Sequence, residues 1–207
     1  MNLDFRLYLI TDRRLFESSE AMLVAIEKAL QGGAKAVQLR EKDLTTRELL
    51  GLAYRMRALT ASYGAKLFVN DRVDIALAVD ADGVHLGGKS IPVHAARKAS
   101  KGRLLVGVST HSVQEAQQAE ADGADFIILG PVYETPSKMQ YGRPIGIHLL
   151  NEAARICMIP VFAIGGITTG KIEDVLAQGA SGTALISAIL TAEDIQKTTE
   201  EFVRKLS

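Results

Sequence analysis

Short apolar runs recur along the whole chain, each ending at a polar residue or a glycine, with helix-like segments between most neighbouring pairs. The runs are almost continuously apolar, a pattern typical of strands that are covered on both faces. The pattern therefore predicts a parallel sheet flanked by helices. The eight predicted strands span residues 7–11, 36–40, 66–70, 83–86, 104–109, 126–130, 160–164 and 183–187.

The segments between the runs indicate how the units repeat. Thr45 with Glu48, and Ser112 with Glu115, have the spacing of a capping box and predict two helix starts. Glycine turns precede every second strand, and no linker or change of composition interrupts the series. Eight such units predict one α/β domain over residues 1–207, a (β/α)8 barrel. The alternative, an open doubly wound sheet, is disfavoured because no G-x-G-x-x-G sequence follows the first strand.

Charge and composition narrow the class of partner. The 207 residues carry 24 Lys and Arg against 24 Asp and Glu, so the formal net charge is zero, and no run of basic residues is present. We therefore expect a small-molecule partner and no nucleic acid or membrane. The first residues lack the pattern of a signal peptide, and Cys157 has no second cysteine to pair with, so we expect a reduced core cysteine in a cytoplasmic protein. The sequence indicates no oligomeric state.

Polar side chains follow the second predicted strand, where the chemistry of a barrel is usually found. Alternation along the strand places Gln38, Arg40 and Lys42 on the inward side. Two cations at a barrel mouth favour an anionic ligand such as a phosphate. The alternative interpretation is a surface ion pair of Arg40 or Lys42 with Glu41 or Asp43.

The third predicted strand ends in Asn70 and Asp71. A carboxylate beside an amide suits a Mg²⁺ ion that bridges to substrate phosphates. The alternative is that Asp71 caps the following helix.

Later strand ends add three further candidates. Gly165 and Gly166 after the seventh strand, with Ser187 at the end of the eighth, are typical of a phosphate site, although a tight turn would also need small residues. The long loop of residues 131–144 carries Lys138 and has the composition of a lid or of a solvated loop. His111 follows the fifth strand and is placed for proton transfer.

The remaining histidines indicate a core residue and no metal site. His85 lies inside the fourth predicted strand, where a hydrogen-bonded core histidine is the simple interpretation. No two histidines have the spacing of metal ligands, so we expect no zinc site.

Together these strand ends resemble the thiamine phosphate synthase family and its relatives, the thiazole tautomerases. The family fold is a (β/α)8 barrel. In the synthases an aminopyrimidine methyl diphosphate loses pyrophosphate, and the resulting cation is captured by the nitrogen of a thiazole phosphate. The matching stretches are residues 8–12, 37–43, 69–74, 81–87, 107–111, 130–133, 163–167 and 187–189.

The resemblance implies roles for individual residues. The pyrophosphate would be held by Gln38, Arg40, Lys42, Asn70, Ser109 and Lys138. Asp71 would ligate Mg²⁺, while Gly166 and Ser187 would bind the thiazole phosphate. The catalytic candidates are accordingly Arg40, Lys42, Ser109, Lys138 and His111, and the substrate-binding candidates are Gln38, Asn70, Thr135, Gly166 and Ser187.

One departure from the synthase pattern keeps other functions open. Residues 87–90 read Gly-Gly-Lys-Ser where the synthases usually have Gly-Gln-Asp/Glu-Asp, so Ser90 replaces a second magnesium carboxylate. This change, and residues 133–135, resemble the tautomerases, in which His111 would transfer a proton and no metal would be needed. The three hypotheses are a synthase, a thiazole tautomerase, and a regulatory barrel that binds thiazole phosphate without catalysis.

Overall fold

Eight parallel strands form a closed barrel in the computed structural model, which describes residues 3–135 and 144–207. The strands are β1 (Leu7–Ile10), β2 (Ala36–Leu39), β3 (Lys66–Asn70), β4 (Gly83–Leu86), β5 (Leu105–Thr110), β6 (Phe126–Leu129), β7 (Val161–Ile164) and β8 (Gly182–Leu185). Each strand pairs with its neighbours in chain order, and β8 pairs with β1. The predicted (β/α)8 barrel is confirmed, with strand ends shifted by two residues at most.

Helices surround the barrel. Those in the described ranges are α1 (Ser19–Gln31), α2 (Thr46–Ser62), α3 (Val73–Ala78), α4 (Val93–Ser100), α5 (Val113–Ala121), α6 (Ile147–Ile156), α7 (Ile172–Ala177), α8 (Ser187–Leu190) and α9 (Ile195–Leu206). Among the described residues, no helix combines the length and apolarity needed to cross a bilayer.

The two predicted helix starts differ in detail. At α2 the capping box is complete, because Thr45 accepts the Glu48 N–H and the Glu48 carboxylate accepts the Thr45 N–H at 2.9 Å. At α5 the Ser112 hydroxyl accepts the Glu115 N–H at 3.1 Å, but the Glu115 carboxylate accepts the His111 N–H at 2.7 Å. The second box is therefore not reciprocal, since its carboxylate is bonded to the residue before the cap.

The larger core lies between the strands and the helices. Val37 and Leu39 are buried in it, as the predicted alternation along β2 requires. Cys157 is also buried there as a free thiol, and Phe202 and Leu206 of α9 pack into the same layer. The C-terminal helix thus closes the outer layer against the barrel.

A smaller core fills the amino-terminal half of the barrel interior. Five aromatic rings pack there with centroids 5.2 to 6.5 Å apart, several of them edge to face. We call this group the aromatic plug. Its members are Phe5, Tyr8, Phe68, Phe126 and Phe162.

Each phenylalanine that the strands contribute to the plug faces a glycine on a neighbouring strand. The directly paired residues are Phe68 with Gly83, Phe126 with Gly107, and Phe162 with Gly182. A β-carbon on any of these glycines would overlap the facing ring. The glycines therefore make room for the rings. Because each ring fits only opposite a glycine, the packing also favours this register of the strands.

We expect Gly83→Ala to lower the free energy of unfolding by about 1–3 kcal/mol, because the new methyl group collides with Phe68 and with the Leu105 carbonyl. The matched control is Gly51→Ala in α2, where a β-carbon meets nothing within 4 Å. Alanine should stabilise that helix by about 0.5–1 kcal/mol. Urea denaturation measures both changes, and equal stability of the two variants would contradict the packing argument.

His85 of β4 lies above the plug, with its ring centroid 5.7 Å from Tyr8 and 5.9 Å from Phe126. The residue is only 2% exposed. Burial lowers the pKa of its imidazole to about 3. The folded protein therefore holds His85 neutral, as expected for a core histidine.

This lowered pKa predicts a contribution to acid sensitivity. Between about pH 3 and pH 6.5 the unfolded chain binds a proton at His85 that the folded chain does not, so stability falls on acidification. From pH 7 to pH 5 we expect His85→Gln to lose about 2 kcal/mol less free energy of unfolding than the wild type.

Urea denaturation at the two pH values measures the difference. Identical pH dependence of wild type and His85→Gln would contradict the prediction.

Candidate active site

A cavity of about 650 Å³ opens at the carboxyl ends of the strands. We call it the mouth cavity. Its wall contains most of the side chains singled out from the sequence, although they come from five different strand ends and the loop after β6. The predicted residues that line it are Gln38, Arg40, Lys42, Asn70, Ser109, His111, Thr135, Gly166 and Ser187. Lys138 lies outside the described residues.

The two basic side chains of the wall, Arg40 and Lys42, follow β2 on its inward parity. We call them the cavity cations. Glu41, between them, is turned the other way and is buried. The predicted alternation across this strand end is therefore present.

The two acidic residues that flank Lys42 in the sequence, Glu41 and Asp43, are bonded to residues other than the cavity cations. Glu41 accepts hydrogen bonds from the Thr11 hydroxyl and, at 3.1 Å, from the Arg13 N–H, and burial raises the pKa of its carboxyl group. Asp43 pairs with the Arg13 guanidinium at 2.6 Å. The alternative prediction, an ion pair of a cavity cation with Glu41 or Asp43, is not found among the described residues.

An amide relay connects the rim of the cavity to its wall. Asn70 donates from Nδ2 to Asp71 Oδ2 at 2.7 Å, and Gln38 donates from Nε2 to Asn70 Oδ1 at 2.9 Å. Because an ionised carboxylate only accepts hydrogen bonds, Asp71 fixes the orientation of both amides. Gln38 Oε1 is then left buried, with no partner among the described residues. A hydrogen-bond donor on a ligand would satisfy it.

Asp71 stands at the rim with its side chain 35% exposed. The Ser90 hydroxyl donates to its Oδ1, and Lys42 Nζ lies 3.8 Å from its Oδ2. Helix α3 begins beyond it with Arg72 at the N-cap position and without a side-chain cap. The alternative prediction that Asp71 caps this helix is therefore wrong.

The donor set around Asp71 suits a magnesium ion. Mg²⁺ usually takes one or two protein carboxylates and completes its octahedron with water and substrate phosphate oxygens. Asp71 supplies one partly exposed carboxylate, and the Ser90 hydroxyl lies against it. In residues 3–135 and 144–207 no cluster of three or more His, Cys, Asp or Glu forms a closed metal cage. The residues present therefore fit a metal that is shared with a phosphorylated substrate.

The opposite wall of the cavity is built on two glycines with positive φ, Gly165 at +99° and Gly166 at +64°. A β-carbon at position 165 would lie 2.5 Å from Pro131, so the tight approach of the loop after β6 requires the glycine there. Ser187 is the first residue of α8 rather than the end of a strand. The turn thus meets the need for small residues and also exposes backbone to the cavity.

Lys171 is a cation of this wall that the sequence pattern did not single out. Its Nζ donates to the Gly166 carbonyl at 2.8 Å and lies 4.2 Å from the centroid of the Tyr133 ring. The residue sits in a short 3-10 turn, Thr169–Lys171, beyond the strand end. Only its spacing from the Gly165-Gly166 turn could have indicated a place in the cavity wall.

Of two histidines near the cavity, one lines it and the other lies behind its wall. His111 lines it, and its Nδ1 lies 2.6 Å from the Gly130 carbonyl oxygen. Because a carbonyl only accepts, Nδ1 carries the proton and Nε2 of the neutral ring is basic. His85 does not line the cavity, but its Nε2 is 2.9 Å from Oγ of Ser109, which does.

Comparisons with known proteins show the family to which this chain belongs. The family model for thiamine monophosphate synthase matches residues 7–189. A Geobacter sulfurreducens protein, provisionally named a thiamine-phosphate synthase, is 53% identical over 191 residues, which are 92% of this chain and 89% of the relative. The thiamine-phosphate synthase of Clostridium novyi is 43% identical over 95% of this chain and 96% of its own length.

A solved structure is similar over nearly the whole chain. The thiamine phosphate pyrophosphorylase of Pyrococcus furiosus superposes with a TM-score of 0.88 at 43% identity, covering 97% of this chain and 95% of that one. The resemblance seen at the strand ends is thereby confirmed over the whole barrel, and this chain belongs to the thiamine monophosphate synthase family.

Proposed function

We propose that this chain is a thiamine-phosphate synthase, a transferase that joins an aminopyrimidine methyl diphosphate to a thiazole phosphate and releases pyrophosphate. The observation that carries the proposal is the convergence of the cavity cations, the amide relay and the Gly165-Gly166 turn on one cavity. The names of the relatives favour the same activity.

The cavity cations suit the leaving group. In the coupling reaction the bond between the pyrimidine methylene carbon and the diphosphate oxygen breaks, and its electron pair leaves with pyrophosphate. The thiazole nitrogen then bonds to the methylene carbon. Arg40 and Lys42 would stabilise the charge that develops on pyrophosphate, together with the Ser109 hydroxyl. Their positive charge matters most in the transition state.

Gln38 suits the aminopyrimidine better than the pyrophosphate. The amide relay leaves its Oε1 as a buried acceptor, and ionised pyrophosphate oxygens are acceptors too. The exocyclic amine of the pyrimidine is a donor and would satisfy the carbonyl oxygen. We therefore assign Gln38 to that amine and keep Asn70 as its neighbour beside the pyrophosphate.

The opposite wall suits the thiazole phosphate. Gly166 and Ser187 offer backbone N–H groups and a hydroxyl, and Thr135 lines the same cavity. The Lys171 ammonium is hydrogen-bonded to the Gly166 carbonyl, so it would place a positive charge beside the thiazole phosphate. The cavity cations, Arg40 and Lys42, follow β2 instead. The two phosphorylated substrates would thus meet different cations.

Asp71 would hold Mg²⁺, with the Ser90 hydroxyl beside it. When bound, the ion would neutralise part of the pyrophosphate charge. Lys138 lies outside the described residues, and its role toward the pyrophosphate stays a prediction.

The tautomerase activity is the second candidate, because His111 has a basic Nε2 at the cavity. Aromatising a carboxythiazole phosphate requires proton transfer, whereas the coupling reaction needs none at carbon. The two activities therefore differ in their dependence on His111.

The direct test mixes the protein with both phosphorylated heterocycles, with and without Mg²⁺, and measures thiamine phosphate by chromatography and pyrophosphate by an enzymatic assay. We expect product, and a loss of about 10²–10³ in kcat for Arg40→Met, because a charge facing the leaving group is removed. Arg47→Met, at an exposed position of α2, should keep wild-type activity. Product no higher than without protein would overturn the proposal. In a parallel reaction that contains only the carboxythiazole phosphate tautomer, its aromatisation would support the tautomerase instead.

Ser90→Asp tests the metal assignment. The new carboxylate would face Asp71, where the serine hydroxyl now donates to it, and two adjacent carboxylates attract a divalent cation. We expect the Mg²⁺ concentration for half-maximal activity to fall by about tenfold. Ser90→Asn has a similar size without the charge and should not show this gain. Calorimetric titration with Mg²⁺ provides a second readout, and equal Mg²⁺ dependence of both variants would contradict the assignment.

A further inference from the structure

We propose that His85 is a positioning residue for the reaction, which holds the Ser109 hydroxyl so that its proton is directed to a ligand in the mouth cavity. His85 cannot touch a substrate itself, because it is buried beneath the cavity and does not line it. Its effect must pass through Ser109. The inference rests on the proposed function only for the identity of the anion that Ser109 meets.

The contacts form a chain that runs from the aromatic plug to the cavity. The Tyr8 hydroxyl lies 3.5 Å from His85 Nδ1, and His85 Nε2 lies 2.9 Å from Ser109 Oγ. Tyr8 is fully buried, and Ser109 lines the cavity. We call these contacts the Tyr8–His85–Ser109 chain.

The Tyr8–His85–Ser109 chain favours one tautomer of the His85 imidazole. If His85 Nδ1 carried the proton, Tyr8 would have to accept it and would leave its own O–H without an acceptor in an apolar interior. If Nδ1 accepts the Tyr8 O–H, both groups are satisfied. Nε2 then carries the proton and donates to Ser109.

The orientation of Ser109 follows from this tautomer. Its oxygen accepts from His85, so its own proton is not used within the chain. Because Ser109 lines the cavity, that proton is available to an acceptor there. Under the proposed function the acceptor is a pyrophosphate oxygen. With the opposite tautomer the serine proton would be bonded to Nε2 and withdrawn from the ligand.

The surroundings fix the ring mechanically as well. His85 pairs directly with Gly107 on β5, and a β-carbon at Gly107 would lie 2.6 Å from His85 Nδ1. Phe126 also packs against this glycine and against the imidazole. The imidazole is therefore accommodated by the same glycine that makes room for part of the plug, and it has little freedom to turn away from Ser109.

The tautomer can be measured without any activity. Long-range ¹H–¹⁵N NMR spectra of the ¹⁵N-histidine-labelled protein should show the Nε2–H tautomer of His85 near neutral pH, assigned by its loss in His85→Gln. The Nδ1–H tautomer would overturn the inference. This result does not depend on whether the protein is a synthase.

Kinetics test the positioning role. His85→Leu should lower kcat by about 10- to 100-fold, the range expected when a donor to developing charge is misplaced. His85→Gln, whose side-chain NH₂ can still reach Ser109, should recover at least about a third of wild-type kcat. In a Ser109→Ala background the same His85→Leu change should cost less than about threefold.

An equal cost of His85→Leu with and without Ser109 would overturn the inference, because a merely structural role would persist. Thermal denaturation of the wild type, His85→Leu, Ser109→Ala and the double variant distinguishes a structural role from a positioning role. The stability lost through His85→Leu should be the same in both backgrounds, whereas the loss of kcat should not. If His85→Leu does not fold, the tautomer of His85 in the wild type, read by NMR, still decides the inference. If the wild type forms no thiamine phosphate, the proposed function fails, whereas the NMR test of the tautomer still stands.

Discussion

The barrel depends on the pairing of a phenylalanine with a glycine across neighbouring strands. An eight-stranded barrel has an interior just wide enough for side chains, so three large rings fit only where the facing residue has none. The same pairing sets the register, because a slip of one residue would turn every inward side chain outward. Since inward positions alternate, the polar side chains of the site lie two residues further along the same strands. Asn70 follows Phe68, His85 follows Gly83, and Ser109 follows Gly107.

The polar groups above the plug satisfy one another almost completely. In the amide relay Asp71 orients Asn70, and Asn70 orients Gln38, which leaves one buried acceptor for a ligand. In the Tyr8–His85–Ser109 chain the phenol orients the imidazole, which leaves one donor. Buried polar groups are costly when unpaired, so each chain ends where a ligand can complete it. The amide relay presents an acceptor, Gln38 Oε1, to the cavity, whereas the Tyr8–His85–Ser109 chain presents a donor, the Ser109 hydroxyl.

Much of this architecture could be predicted from the sequence. The apolar runs gave the eight strands, and the alternation at Gln38, Arg40 and Lys42 gave the side that faces the cavity, because both are periodic local signals. The side-chain partners were not predictable in the same way. The contact of His85 with Ser109 depends on the register between β4 and β5, and the place of Lys171 depends on the path of a short turn. The role of Asp71 could not be decided from the sequence for a related reason. A residue before a helix caps it only if its side chain turns toward the helix, and local sequence does not fix that direction.

The serine at position 90 changes what holds the rim together. Where a second carboxylate would stand in the family pattern, the Ser90 hydroxyl donates to Asp71 and accepts the Gly87 N–H at 2.6 Å. Two carboxylates at this distance would repel until a cation or a proton came between them, whereas a serine and a carboxylate attract. Asp71 is therefore oriented by the Ser90 hydroxyl and by nearby Lys42, and it orients the amide relay in turn. The contacts of Ser90, Asp71, Asn70 and Gln38 thus form one continuous hydrogen-bond network, and the proposed metal would act on the pyrophosphate that it shares with Asp71.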